Sequence, residues 1–246
     1  MIQLKINVMG VEFDNVSMEE ALDAAQALLR SGEKGFCVTP NAEILHYALK
    51  DLDYQALLNR ACLVIPDGAG AVMGSKILGR PLKGKVAGID FADNLCGRLA
   101  ENGQRLYLLG GKPGIAEAAA DNLRSRHPGL IICGTHHGYF SDPDPVIAQI
   151  NEANPDVLFV CMGAPKQERF MDAYLNQLNA RFMIGLGGSL DVFSGTLRRA
   201  PQWIRRCNLE WLYRMLQEPA RLRRGASRPK FILACLMERR RQRKNG

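Results

Sequence analysis

Six short apolar runs, each followed by a helical pattern, constrain this chain more than any other feature. The runs are Phe36–Thr39, Cys62–Pro66, Leu106–Gly110, Leu130–Cys133, Val157–Cys161 and Phe182–Gly185. Amphipathic stretches over residues 18–30, 42–60, 69–79, 89–101, 114–126, 144–153 and 166–179 lie between and after them. Strands that are apolar on both faces and alternate with helices predict a parallel sheet buried on both sides. The fold class is therefore α/β: a Rossmann-like, mostly parallel sheet flanked by helices. The N-terminus differs, because Leu4–Val8 and Val11–Phe13 flank Met9-Gly10 and read as a small β-hairpin. After Pro201 the pattern becomes helical and basic, with breaks expected near Pro219, Gly225 and Pro229.

Charge divides the chain at the same place. Residues 1–197 hold 17 Lys/Arg against 22 Asp/Glu, a net of −5, whereas residues 198–246 hold 15 against 3, a net of +12. We read a catalytic-sized body over 1–197 and a basic helical appendage over 198–246. Such an asymmetry predicts an anionic partner for the appendage: nucleic acid, phospholipid or a phosphorylated substrate. No recognition motif for RNA and no series of exposed aromatics accompanies the basic residues, which disfavours nucleic acid. The longest apolar run of the appendage, Phe231–Met237, stops at seven residues, far short of the roughly 18 of a membrane span. Met1-Ile2-Gln3-Leu4-Lys5 lacks the layout of a signal peptide, so a cytoplasmic location is expected. Seven cysteines, the closest two 25 residues apart, form no C-x-x-C, and neither a disulfide framework nor a metal site is expected.

In open parallel sheets ligands bind beyond the carboxyl ends of the strands, so the strand-to-helix junctions are the candidate site. Thr39-Pro40-Asn41 offers either a helix N-cap or hydroxyl and amide groups for a polar ligand. Pro66-Asp67-Gly68-Ala69-Gly70 is either a turn or a general base placed at a strand end, with glycines that admit a ligand. Gly110-Gly111-Lys112-Pro113-Gly114 can hold a phosphate on backbone N–H groups at a helix start. It matches neither G-x-G-x-x-G nor a Walker A loop, which disfavours a nicotinamide or P-loop enzyme. Tyr139 belongs to an aromatic pair or stacks on a base ring. Gly163-Ala164-Pro165-Lys166-Gln167 places Lys166 and Gln167 in a first helical turn, beside any anion. Gly187 and Gly188 allow close packing or close ligand approach, and Asp191 can accept hydrogen bonds from ribose hydroxyls.

Taken together, these junctions make the sequence resemble the WecG/TagA/CpsF family of glycosyltransferases from about residue 8 to residue 224. The blocks that carry the resemblance are Pro66-Asp67-Gly68-x-Gly70, Val86-Ala87-Gly88-Ile89-Asp90, Gly163–Glu168, Gly187–Gly195, Arg199-Ala200-Pro201 and Leu209–Arg214. The resemblance implies metal-free, cofactor-free, inverting transfer of an N-acetylmannosamine-type sugar from a UDP donor. The implied acceptor is undecaprenyl-diphosphate-linked N-acetylglucosamine. The Thr39 and Asp67 blocks look more like the branch that starts teichoic acid linkage units than the branch that uses the uronate form of the sugar. By the same resemblance Asp67 is the base, Thr39, Asn41 and Gln167 hold sugar and diphosphate, and Tyr139 and Asp191 lie at the uridine end. Lys85 stands where the family usually has Arg; it keeps the charge and loses the bidentate fork. Arg214, Arg221 and Arg224 share a face on a continuous helix and are expected to close over the site and neutralise the departing UDP. The other basic residues, Arg239-Arg240-Arg241 among them, would meet anionic lipid headgroups at the inner face of the membrane. Trp203, Trp211, Leu212, Met215 and Leu216 form an apolar face for membrane docking or for self-association.

Overall fold

The computed structural model describes residues 4–206, 209–217 and 227–245, without the side chains of 205, 206, 214, 215 and 245. The chain opens with the antiparallel hairpin β1 (Lys5–Val8) and β2 (Val11–Asp14). Its two-residue turn is Met9-Gly10, both at positive φ, the conformation that matches strand twist. Helix α1 (Met18–Ser31) starts at a capping box, in which Ser17 Oγ accepts from Glu20 N–H and the Glu20 carboxylate accepts from Ser17 N–H.

The expected parallel sheet is present. Its strands are β3 (Gly35–Val38), β4 (Leu63–Val64), β5 (Arg105–Gly110), β6 (Ile131–His136), β7 (Val157–Cys161) and β8 (Phe182–Gly185). They lie in the order β4-β3-β8-β7-β5-β6, every neighbouring pair parallel. Successive residues face opposite sides, so each strand feeds two cores. Val38, Val64, Leu109, Val160 and Met183 join one core, packed under the hairpin and under the helices Ala42–Ala48, Leu52–Arg60, Asp144–Ala153 and Lys166–Tyr174. Cys37, Leu63, Leu108, Phe159 and Ile184 join the other, packed under α1 and the helices Gly88–Glu101, Ile115–Arg126 and Ser189–Phe193. Double burial is what made these strands continuous apolar runs in the sequence. The edge strands fit less well: β4 is two residues long, and β6 runs on through the polar Gly134-Thr135-His136 because one side of it meets solvent.

The helices are α2 (Ala42–Ala48), α3 (Leu52–Arg60), α4 (Gly68–Ile77), α5 (Gly88–Glu101), α6 (Ile115–Arg126), α7 (Asp144–Ala153), α8 (Lys166–Tyr174) and α9 (Ser189–Phe193). One expectation is corrected here: 42–60 is two helices. The Asp51 side chain accepts from Tyr54 N–H at 2.9 Å and caps α3, so the chain restarts at that point.

The basic segment contributes α10 (Gln202–Arg206), α11 (Glu210–Gln217) and α12 (Ser227–Asn245). Pro229 sits in the first turn of α12, which starts at Ser227, and its missing N–H is not needed there. The other expected breaks, Pro219 and Gly225, lie outside the described residues. Helix α12 lies against α2 and α4, with Phe231 and Cys235 fully buried in the first core. Gly74 of α4 makes the space, since a Cβ there would stand 2.9 Å from the Phe231 ring. The charge boundary at 197/198 is thus not a packing boundary for α12. No helix among the described residues is long and apolar enough to cross a membrane.

Candidate active site

Because all six strands are parallel, their carboxyl ends share one edge, and hydrogen bonds tie the junctions there into a continuous rim. Thr39 is 6% exposed and its Oγ1 donates to the Gly185 carbonyl at 2.9 Å, joining the ends of β3 and β8. Its proton is committed, which leaves the hydroxyl oxygen as an acceptor. Asn41 is the N-cap of α2, its Oδ1 accepting from Glu43 and Ile44 N–H at 2.9 and 3.2 Å. Gln167 is 2% exposed, with its carbonyl oxygen doubly and its NH2 singly engaged. Its Oε1 accepts from Gly163 N–H at 3.2 Å and Gly187 N–H at 2.8 Å, while its Nε2 donates to Glu168 at 2.7 Å. Gln167 is therefore a clasp that fixes two glycine loops at the edge.

The β5 junction is fixed the same way. Gly111 N–H donates to the Cys161 carbonyl at 3.3 Å, and Gly138 N–H donates to the Gly111 carbonyl at 2.9 Å. The Gly111 amide is consequently spent on the rim and not available to a phosphate, although the sequence offers it as one of a set. Only glycine serves at 110, where φ is 142° and a Cβ would stand 2.3 Å from the Cys161 carbonyl oxygen. Lys166 Nζ donates to the Gly138 carbonyl at 2.9 Å and sits 4.9 Å from the centre of the Phe140 ring. Tyr139 projects into solvent, 67% exposed, and Lys112 is exposed as well. Gly188 is the N-cap of α9 and Asp191 lies in its first turn, both half-buried.

Asp67 ends the β4 junction in the N-cap position of α4, but its side chain does not cap that helix. Instead Oδ1 accepts from Gly88 N–H at 3.2 Å, the first residue of α5. Two helix N-termini thus converge on this half-buried carboxylate, opposite the Thr39 side chain, against which Gly88 also packs. Val86 N–H donates to the Pro66 carbonyl at 2.9 Å, which sets the exposed Lys85 alongside the Asp67 junction. Thr39, Asn41, Asp67 and Lys85 gather at the β3/β4 side of the rim; Gly110, Gly111, Lys112, Tyr139 and Lys166 gather at the β5/β6/β7 side. Gly163, Gln167, Gly187, Gly188 and Asp191 bridge them. Arg221 and Arg224 lie outside the described residues; Arg214 lies on α11 with its side chain outside them.

Two partners here escaped the sequence reading. Arg199 forms a two-pronged pair with Asp90 at 2.5 and 2.7 Å and reaches Glu210 at 3.4 Å, tying α5 to α11. All three residues stand in the quoted blocks, so the signal was there without the pairing. The second is Glu168, fully buried beneath the rim beside Tyr54. Burial pushes its carboxyl above the ordinary 4.5, while the bond from Gln167 acts against the rise.

That shift has a consequence for stability. A carboxyl raised in the folded state holds a proton that the unfolded chain releases, so stability falls as pH rises through 4.5 towards the folded value, and the full cost remains above it. Glu168→Gln keeps an acceptor for Gln167 and carries no ionisation cost. Its stability relative to wild type should therefore be higher at pH 8 than at pH 5, by denaturant midpoints. Equal differences at the two pH values would show that Glu168 is not the group being titrated.

The chain matches known proteins along nearly its whole length. Residues 6–245 match the model of the Glycosyl transferase WecG/TagA/CpsF family. A Bacillus subtilis (strain 168) relative named N-acetylglucosaminyldiphosphoundecaprenol N-acetyl-beta-D-mannosaminyltransferase is 40% identical over 200 residues, 81% of this chain and 78% of the relative. A Staphylococcus aureus (strain MRSA252) protein of the same name is 37% identical over 232 residues, covering 93% of this chain and 91% of the relative.

Proposed function

Because the chain belongs to the WecG/TagA/CpsF glycosyl transferase family, we propose that it moves N-acetylmannosamine from UDP-N-acetylmannosamine to undecaprenyl-diphosphate-linked N-acetylglucosamine, as a step in building cell-wall teichoic acid linkage units. The observation that carries the reading is Asp67: a carboxylate at a strand's carboxyl end, held by Gly88 N–H and not consumed by its own helix. In a single inverting displacement the acceptor hydroxyl oxygen forms a bond to the sugar's anomeric carbon. The bond from that carbon to the diphosphate breaks, its electron pair leaves with UDP, and Asp67 takes the hydroxyl proton. Lys85, Lys112 and Lys166 supply positive charge along the rim, and Arg214, Arg221 and Arg224 neutralise the departing UDP without a metal ion. Thr39 and Asn41 line the sugar side, with Tyr139 and Asp191 at the uridine end. Gln167 acts by holding the Gly163 and Gly187 loops.

We place the protein at an anionic membrane surface, on its inner, cytoplasmic face. In support, Trp203, Leu209 and Leu216 are exposed on the basic segment, and so are Leu233, Leu236 and Met237 on α12. Arg240, Arg241, Arg243 and Lys244 follow them in solvent. Arg239 does not join this set, because it donates to the Leu78 carbonyl at 3.2 Å and caps α4.

The test is UDP release from UDP-N-acetylmannosamine with EDTA present and a lipid-diphosphate-N-acetylglucosamine acceptor. Acceptor-dependent release is expected. Release only with the uronate of the donor would move the chain to the other branch of its family, and release that needs a divalent cation would overturn metal independence.

A further inference from the structure

A cavity of about 430 Å³ lies between α2, Tyr54 of α3, the Ala164-Pro165 turn and α12, within the roughly 300–1,000 Å³ of small-molecule sites. Ile44, Tyr47 and Pro165 form its apolar wall, and Lys50, Ser227 and Lys230 its polar one. Pro165 and the first turn of α2 belong to the carboxyl edge of the sheet, so the cavity opens beside the rim already described. From there it runs down α2 and into the turn that follows it, to Lys50, seven residues beyond Glu43 at the mouth. That is about 10 Å at helical rise, long enough for a hexosamine and its diphosphate.

The lining is chemically unfinished. Tyr54, 2% exposed, forms the floor with its ring edge-on to Tyr47 at 5.1 Å, and its hydroxyl is turned to the buried Glu168 carboxyl. Nδ1 of His46, in contrast, is buried without a partner. Buried polar atoms left unmatched are costly in a cavity that stays empty. Lys50 and Lys230 come from two different elements and face one carboxylate, Glu43, so the interior is net positive. His46 records this: burial first, then the charges of Lys50 and Lys230, push its imidazole below the ordinary 6.5. The wall helix α12 then carries the exposed Leu233, Leu236 and Met237 away from the cavity.

We infer that this cavity is the acceptor subsite, taking the amino-sugar diphosphate headgroup of a polyisoprenoid lipid with the diphosphate on Lys50 and Lys230. The order of groups along the cavity matches such a molecule: sugar at the rim near Glu43 and Tyr47, diphosphate at the two lysines, hydrocarbon along the exposed face of α12. A UDP donor would instead place its diphosphate at the rim. The assignment rests on the transferase reading above, so its test must not depend on turnover alone.

The full-length chain, its Lys50→Ala/Lys230→Ala double variant and the Lys→Arg double variant would be titrated with a short-chain prenyl-diphosphate-N-acetylglucosamine and, separately, with UDP. Both lysines are exposed, and thermal melts would verify that the variants fold. The alanine pair should weaken binding of the lipid-linked sugar, and raise its KM, at least tenfold. UDP affinity and donor KM should stay within twofold, and arginine should restore most of the loss. Weakened UDP binding would place the nucleotide in the cavity and overturn the inference, as would unchanged binding of both ligands. Loss confined to phosphatidylglycerol vesicles would make the lysines membrane contacts and overturn it too. A wild type that binds the lipid-linked sugar through these lysines but transfers nothing would leave the subsite standing and sink the transferase reading.

Discussion

Asp67→Asn should lower kcat by about 10²–10⁴-fold, the usual contribution of a positioned general base, while leaving the affinity for UDP within a few-fold of wild type. The substitution is nearly isosteric. Asparagine can present its amide oxygen to Gly88 N–H as Asp67 Oδ1 does at 3.2 Å, so α5 keeps its start and the rim keeps its shape. What disappears is the capacity to accept the acceptor's proton. A drop in kcat with unchanged donor binding is the signature of an interaction made in the transition state. Single-turnover measurements with saturating donor and acceptor would separate this from slow product release. A variant within threefold of wild type would remove Asp67 from the chemistry and return it to the turn that its Asp-Gly context equally suggests.

The sheet was legible because physics writes it directly into composition. A strand buried on both faces has no polar positions, and β5, β7 and β8 read as unbroken apolar runs for that reason. Edge strand β4 is less legible, since Pro66 closes it and pairing ends at Val64. The split of 42–60 was not legible from periodicity, because α2 and α3 each bury a stripe and the stripes nearly run on. Only Asp51 marks the restart, and an Asp inside a helical pattern is ambiguous until its carboxylate is seen on Tyr54 N–H.

The site was legible as a set of residues and not as a set of roles. Parallel topology alone brings Thr39, Asp67, Gly110, Gly163 and Gly187 to one edge, so their common location follows once the strands are found. Their hydrogen bonds do not. Gln167 reads as a ligand group in a first helical turn, yet its carbonyl oxygen is taken by Gly163 and Gly187 and one of its N–H groups by Glu168. The Gly111 amide reads as a phosphate donor and is spent on Cys161. A polar residue near a site can either meet the substrate or build the frame. Sequence does not distinguish these, because the partner groups are backbone amides whose positions only the fold decides.

Phe231→Ala should destabilise the protein by about 3–5 kcal/mol, the range for emptying a buried aromatic site, equivalent to a fall in Tm of about 6–20 °C for a chain of this size. The expectation follows from packing: Phe231 is 0% exposed, lies against Gly74 of α4 and belongs to the same core as Val38 and Met183. Leu233, two residues on, is 56% exposed and serves as the control; Leu233→Ala should shift Tm by no more than about 1–2 °C, corresponding to the ±0.5 kcal/mol of an ordinary surface substitution. If α12 were a separable appendage, both variants would melt like wild type. If it is part of the cooperative unit, only Phe231→Ala falls, and removing residues 201–246 has a larger effect still, because it bares the faces of α2 and α4 that Phe231 and Cys235 cover. A chain cut after Ala200 would then lose activity through its core, whatever the arginines of the removed segment do at the site. The contribution of Arg214, Arg221 and Arg224 is therefore to be read from single substitutions in the full chain, with α12 docked, and not from truncation.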